Sequence, residues 1–132
     1  MCLTINTFTH EKTLVVDHRY RVVTKCFPKV IEEDMTVFKC VHTDGKAEYQ
    51  KFWYDPNTLY KKRKLRPTKE AVYGAGFHAY TSSPVRVYKN RMVIMATIPK
   101  GSTVFFGVDG DVVTNALKTL EFPKRYKGHD RT

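Results

Sequence analysis

Apolar and polar residues alternate with a period of two in several stretches of the chain. The apolar positions favour Val, Tyr and Phe, and Thr is frequent beside them. These residues pack well on a pleated surface and lose more side-chain freedom in a helix, so strands are the expected element. In the run from Leu14 to Val23, Val16, His18, Tyr20 and Val22 share one face while Asp17, Arg19 and Arg21 share the other. That pattern reads as a single strand with one wet face. Residues 36–42 (TVFKCVH) and 47–54 (AEYQKFWY) flank Thr43-Asp44-Gly45-Lys46. Asp-Gly accepts the positive φ of a tight reversal, so the two runs read as a β-hairpin, ended by Asp55-Pro56-Asn57.

From Met92 the same grammar repeats: MVIMATI, a turn at Pro99-Lys100-Gly101-Ser102, TVFFGV, a turn at Asp109-Gly110-Asp111, and a last strand within VVTNALKTLEF. Between the halves, Ser82-Ser83-Pro84 resembles a helix cap followed by proline at the first helical position. The β-branched Val85 and Val87 allow a short helix there at most. The expected fold is a small α+β single domain, predominantly antiparallel, built as a curved sheet or two-sheet sandwich with one or two short helices. It would span residues 1–123, with 124–132 as a basic C-terminal tail.

A chain of 132 residues can bury one core. Its charge changes the picture more than its length does. Lys and Arg number 23 against 13 Asp and Glu, a net charge of +10, which excludes an acidic solvating chain and favours an anionic partner. The excess is concentrated: residues 51–69 carry seven basic groups and one acidic, and residues 124–132 carry four and one. Clustered cations repel each other, so such stretches lie on a solvated face unless an anion neutralises them.

Phe52, Trp53, Tyr54 and Tyr60 border Lys61, Lys62, Arg63, Lys64 and Arg66. Rings that stack on bases beside cations that hold phosphates would bind nucleic acid or an anionic nucleotide with little sequence preference. Trp53 and Tyr60 are the stacking candidates, and Lys124, Arg125 and Lys127 would add to the anion-binding surface. The alternative is a strand whose rings belong to the core beside a solubilising loop.

Cys2, Cys26 and Cys40 show no paired zinc or redox spacing, which fits a reducing compartment. Cys40 and His42 share a strand face, but no local ligand pair accompanies them, so no metal site is expected. No apolar run approaches the roughly 18 residues of a membrane span. The N-terminal MCLTINTFTHEK lacks the regions of a secretory signal, so a cytoplasmic location is the expectation.

Two resemblances add to this reading. Gly74-Ala75-Gly76-Phe77-His78-Ala79-Tyr80, then Thr81-Ser82-Ser83, Tyr88 and the strand Met92 to Ile98, resemble the central part of ADP-ribosyltransferase folds. The resemblance implies an NAD cleft to which Lys39, His78 and Asp111 would contribute at the family's three diagnostic positions. All three depart from the family's residues, His or Arg, Tyr and Glu respectively. Glu121 is a poor substitute by position. The departures point to a degenerate site that binds a nucleotide without turning it over, and no cofactor is assigned. Met1 to Thr4, Val37-Phe38-Lys39, Gly76 to Tyr80 and Ile98 to Ser102 are similar to small uncharacterised phage-encoded proteins. That likeness implies a phage-type accessory protein that binds nucleic acid or a nucleotide. The alternative is a protein-interaction module acting on a host factor, in host takeover or anti-defence.

Overall fold

The computed structural model describes residues 3–48, 50–70, 72–84 and 86–128. Among them every regular element is a strand: β1 (Leu3–Thr4), β2 (Lys12–Val16), β3 (Val22–Cys26), β4 (Lys29–Val30), β5 (Met35–His42), β6 (Leu59–Lys61), β7 (Val72–Tyr73), β8 (Phe77–Tyr80), β9 (Arg91–Ile98), β10 (Thr103–Phe106), β11 (Asp111–Thr114) and β12 (Ala116–Thr119). Eight of these form one sheet in the order β4-β10-β11-β8-β5-β9-β12-β6, and β1-β7 and β2-β3 form two-stranded sheets. All the strand pairs are antiparallel.

The longest ladder joins β5 to β9 over eight residue pairs, Met35↔Ile98 through His42↔Arg91. Alternate residues of β9, namely Met92, Ile94, Ala96 and Ile98, have no solvent exposure, and Val37 and Val41 on β5 face the same interior. Full burial of each large aliphatic side chain contributes about 1.5–3 kcal/mol, so this ladder anchors the core.

Strands β11 and β12 are separated only by Asn115, yet β11 lies between β10 and β8 while β12 lies between β9 and β6. The path β11-β8-β5-β9-β12 therefore closes on itself, and the sheet curls into a small barrel. Asn115 turns the chain at the closure point: its Oδ1 accepts the Thr103 N–H at 2.8 Å, and its own N–H reaches the Thr103 carbonyl at 3.3 Å. Val104, Val112 and Leu117 point into the barrel. The intervening Phe105 and Val113 point out and are covered by Leu3, Ile5, Cys26 and Leu65. The β10–β11 sheet is thus buried on both faces.

The fold corrects several expectations. The class is all-β among the described residues, not α+β with one or two short helices. Ser82 is in a bend, residues 83–84 and 86–88 are irregular, residues 89–90 form a turn, and Val85 lies outside the described residues. The run from Leu14 to Val23 is not one strand; β2 and β3 pair over Lys12↔Cys26 to Val16↔Val22 around a turn at residues 17–20. The Asp44-Gly45 reversal is present, with Gly45 at φ 89 and its N–H on the His42 carbonyl at 2.9 Å. Residues 47–54 do not continue as a strand, and only the isolated bridges Val41↔Ala47 and Lys46↔Trp53 form. Val41 meets Ala47 on the edge of β5 opposite β9, and the pairing ends after that one bridge as the Ala47 N–H turns to the Phe52 carbonyl.

Candidate functional site

Pairing between β5 and β8 consists of Phe38↔Tyr80 alone, so the two strands part below that rung. A cavity of about 100 Å³ opens beside the gap, and Lys39, His78 and Asp111 all line it, together with Cys40, Glu48 and Tyr54. Three strands supply the first three residues: Lys39 comes from β5, His78 from β8 and Asp111 from the start of β11. They meet because β8 is hydrogen-bonded to β11, which sets Val113 opposite His78 and Asp111 opposite Tyr80.

Lys39 occupies the inward row of β5, between the fully buried Val37 and Val41. Its ammonium donates to the His78 carbonyl at 2.6 Å and lies 5.4 Å from the Tyr54 ring centroid. A cation thereby bridges the two strands where their ladder stops. Burial, opposed by Glu48 and reinforced by Lys62, pushes the amine down to about 8. His78 donates Nε2–H to the Gly74 carbonyl at 3.2 Å, which leaves Nδ1 as an acceptor. Burial lowers its pKa below 6.5, so the ring is neutral at pH 7. Asp111 folds one carboxylate oxygen, Oδ1, against Gly107, where a Cβ would not fit, and that oxygen has no hydrogen-bond partner among the described residues.

Cys40 and Cys26 are free thiols, and Cys2 lies outside the described residues. Burial, with Glu48 alongside, pushes the Cys40 thiol up to about 11, so it is protonated and a poor nucleophile at pH 7. His42 accepts a hydrogen bond from the Arg91 guanidinium at Nδ1, 3.0 Å away. Among the described residues no group of three or more His, Cys, Asp or Glu side chains is placed to hold a metal ion, and no helix is long and apolar enough to cross a membrane.

The basic segment leaves the cavity's neighbourhood along an exposed edge. Lys61 ends β6, the last strand of the sheet, and Lys62 to Lys64 continue as irregular chain with exposed side chains; Arg66, beyond the buried Leu65, is exposed too. None of the five cations has a carboxylate partner among the described residues, where the ion pairs are Arg21–Asp17 and Arg91–Glu48. The Lys62 ammonium also sits 4.6 Å from the centroid of the Phe77 ring, which lines the cavity, although Lys62 itself does not.

The other candidates are spread differently. Lys124, Arg125 and Lys127 are exposed, but the Lys127 N–H is held by the Thr43 carbonyl, while Lys61 pairs with Ala116. Thr43 lies beside Asn90 and Ala116 lies beyond the Lys118↔Thr97 pair, so the two basic stretches flank opposite ends of β9. Residues 129–132 of the tail lie outside the described residues. Tyr60 packs among Phe52, Tyr54 and Phe77 at centroid distances of 5.3, 5.2 and 6.4 Å, and its hydroxyl accepts the Asp55 N–H. Trp53 is half-buried, with its indole N–H on Asp44 at 3.3 Å and the Lys46 ammonium 5.9 Å from its ring.

Glu48 and the approach of Lys62 to Phe77 carried no sequence signal, and Tyr54 was legible only as a ring bordering the basic segment. Glu48 and Tyr54 arrive at the cavity through the loop after Gly45, a long-range consequence of barrel closure. Compared with protein-family models, curated proteins and solved structures, the chain matches none of them.

Proposed function

We propose that this protein binds single-stranded nucleic acid, or a nucleotide, along the edge formed by Lys61, Lys62, Arg63, Lys64 and Arg66. The observation that carries the reading is the one just described: five exposed cations within six residues, on the end of β6 and the irregular chain after it, with no carboxylate partner among the described residues. Cations so close in sequence can contact neighbouring phosphates of one backbone. Trp53 offers a ring for base stacking. Charge of this kind attracts any polyanion, so weak sequence preference is expected.

The test is direct binding of short single-stranded DNA and RNA at two salt concentrations. If all five cations touch phosphates, the slope of log affinity against log salt is about −3.5. The variant Lys61→Glu, Arg63→Glu, Lys64→Glu, which leaves Lys62 in place, is expected to weaken binding at least about tenfold and flatten that slope. Unchanged affinity in the variant removes the edge from the reading.

A second reading rests on the hairpin β2–β3. Leu14, Val16 and Val22 share one face of the ribbon and are each more than 60% exposed, with Lys12 on the same face and Arg19 in the turn; Phe8 is 91% exposed beside Lys12. Such a surface suits a protein partner with an acidic rim, in keeping with a host factor. The two readings separate in one experiment: association that survives nuclease treatment, and is lost when Leu14 and Val22 become Ser, belongs to the hairpin.

A further inference from the structure

Lysine on the inward row of a barrel strand breaks the rule that otherwise governs β5, and the cavity in front of it makes that exception informative. Three features bear on what could fill the space. First, the Lys39 ammonium has three N–H donors and the His78 carbonyl takes one of them. Second, the exposed Lys62 places its ammonium 4.6 Å from the Phe77 ring, which lines the cavity, and neither amine forms an ion pair among the described residues. Two like charges on either side of one ring are stabilised by an anion that reaches both. Third, at about 100 Å³ the space is well below the roughly 300 Å³ of ordinary organic-ligand pockets, but it accommodates a tetrahedral oxyanion.

We infer that the cavity between β5 and β8 is a phosphate-binding site, in which Lys39 and Lys62 hold a phosphate group against the ring of Phe77. This site shares Lys62 with the basic edge but centres on Lys39, and its occupant is either a free small phosphate or the terminal phosphate of a strand. Glu48 and Asp111 both line the cavity and both work against the anion; Glu48 is shared with Arg91, 3.9 Å away, while Asp111 has only Oδ1 diverted onto Gly107. Its position gives the proposal a signed test, because removing its charge should strengthen binding while removing the Lys39 charge should weaken it.

The experiment titrates inorganic phosphate into the whole protein at constant ionic strength, following amide shifts by NMR. Wild-type protein is expected to show saturable shifts at Lys39, Phe77 and His78. Lys39→Met is expected to weaken binding about tenfold or more, and Asp111→Asn, which keeps the side-chain shape beside Gly107, to tighten it severalfold. A Lys39 that only braces two strands would leave the Asp111→Asn affinity equal to wild type. Absence of saturable shifts up to about 10 mM phosphate, or unchanged affinity in Lys39→Met, overturns the site. The same titration on the edge variant is expected to retain phosphate binding, so loss of strand binding and loss of the phosphate site are read separately. A 5′-phosphorylated oligonucleotide that binds more tightly than its 5′-hydroxyl form, with the advantage gone in Lys39→Met, identifies the occupant as a strand end. Equal binding of the two forms alongside phosphate saturation identifies it as a free phosphate.

Discussion

Strand β9 and the hairpin β2–β3 are both rich in aliphatic residues, and their fates differ. In β9 every second residue is sealed from solvent, whereas Leu14 on β2 remains 73% exposed. The difference lies in what surrounds them. β9 has hydrogen-bonded neighbours on both edges, β5 and β12, and faces the closed interior, while β2 pairs with β3 alone. Alternation specifies a strand; burial requires a second layer, and a two-stranded ribbon does not bring one.

The largest effect expected from this contrast is on stability. Ile94→Ala, at the middle of β9, should cost about 3 kcal/mol because the barrel cannot collapse around the lost atoms. Leu14→Ala should stay within about 0.5 kcal/mol, since its side chain already meets water. Urea unfolding of both variants measures the gap. A Leu14→Ala cost comparable to that of Ile94→Ala would mean that the hairpin is covered in solution.

The same contrast explains what was legible in the sequence. β10 and β11 form a hairpin across Gly110, and the chain turns from β9 toward β10 at Gly101; both glycines have positive φ, so local turn chemistry announced these turns, although β9 pairs with β5 and β12 rather than with β10. The turn at residues 17–20 has no glycine: the Asp17 side chain makes it, and Tyr20 adopts φ 60. A strand pattern therefore ran uninterrupted through a reversal. Residues 47–54 misled for a different reason, since a good local turn starts a pairing that stops after Val41↔Ala47, where the Ala47 N–H is taken by the Phe52 carbonyl. Asn115 carried no signal of the switch between β11 and β12, because its role depends on Thr103 across the sheet. As for the cavity, resemblance alone put Lys39, His78 and Asp111 together. No periodicity shows that β5 and β8 separate after one rung and leave a lysine pointing inward.

A smaller effect, on pH dependence, sharpens the comparison from inside the barrel. Lys39 has a folded pKa of about 8 against 10.5 in the unfolded chain, so between these values the unfolded state binds more protons and stability rises with pH. Below pH 8 the full penalty of the buried ammonium is present. Cys40 opposes the gain at higher pH: its thiol, pushed from 9 up to about 11, releases its proton first in the unfolded state, so its contribution falls as pH rises above 9. Stability should therefore climb by on the order of 1 kcal/mol between about pH 8 and 9 and then level off. Lys39→Met should remove the climb, whereas Lys12→Met on the exposed hairpin should leave it intact. Chemical unfolding across that range decides the matter, and a climb that persists in Lys39→Met would place its origin elsewhere.

The smallest effect concerns whether the hairpin and barrel unfold as one unit. The Asp17 carboxylate accepts the N–H groups of Arg19 at 2.8 Å and Arg21 at 2.9 Å, and it pairs with the Arg21 guanidinium at 3.2 Å. The backbone bond from Arg21, followed by those from Arg19 and the Arg21 side chain, holds its carboxyl below the ordinary carboxylate range despite some desolvation. These bonds hold the reversal, but they lie in a ribbon whose apolar residues are mostly exposed. Asp17→Ala should therefore speed amide exchange at Arg19 and Arg21 severalfold while Ile94 remains as protected as before, with no resolvable change in the unfolding midpoint. Exchange at Ile94 rising in step with that at Arg21 would show the opposite, that opening the turn opens the barrel. The ribbon and the closed sheet would then be a single cooperative unit whose difference in burial carries no difference in stability.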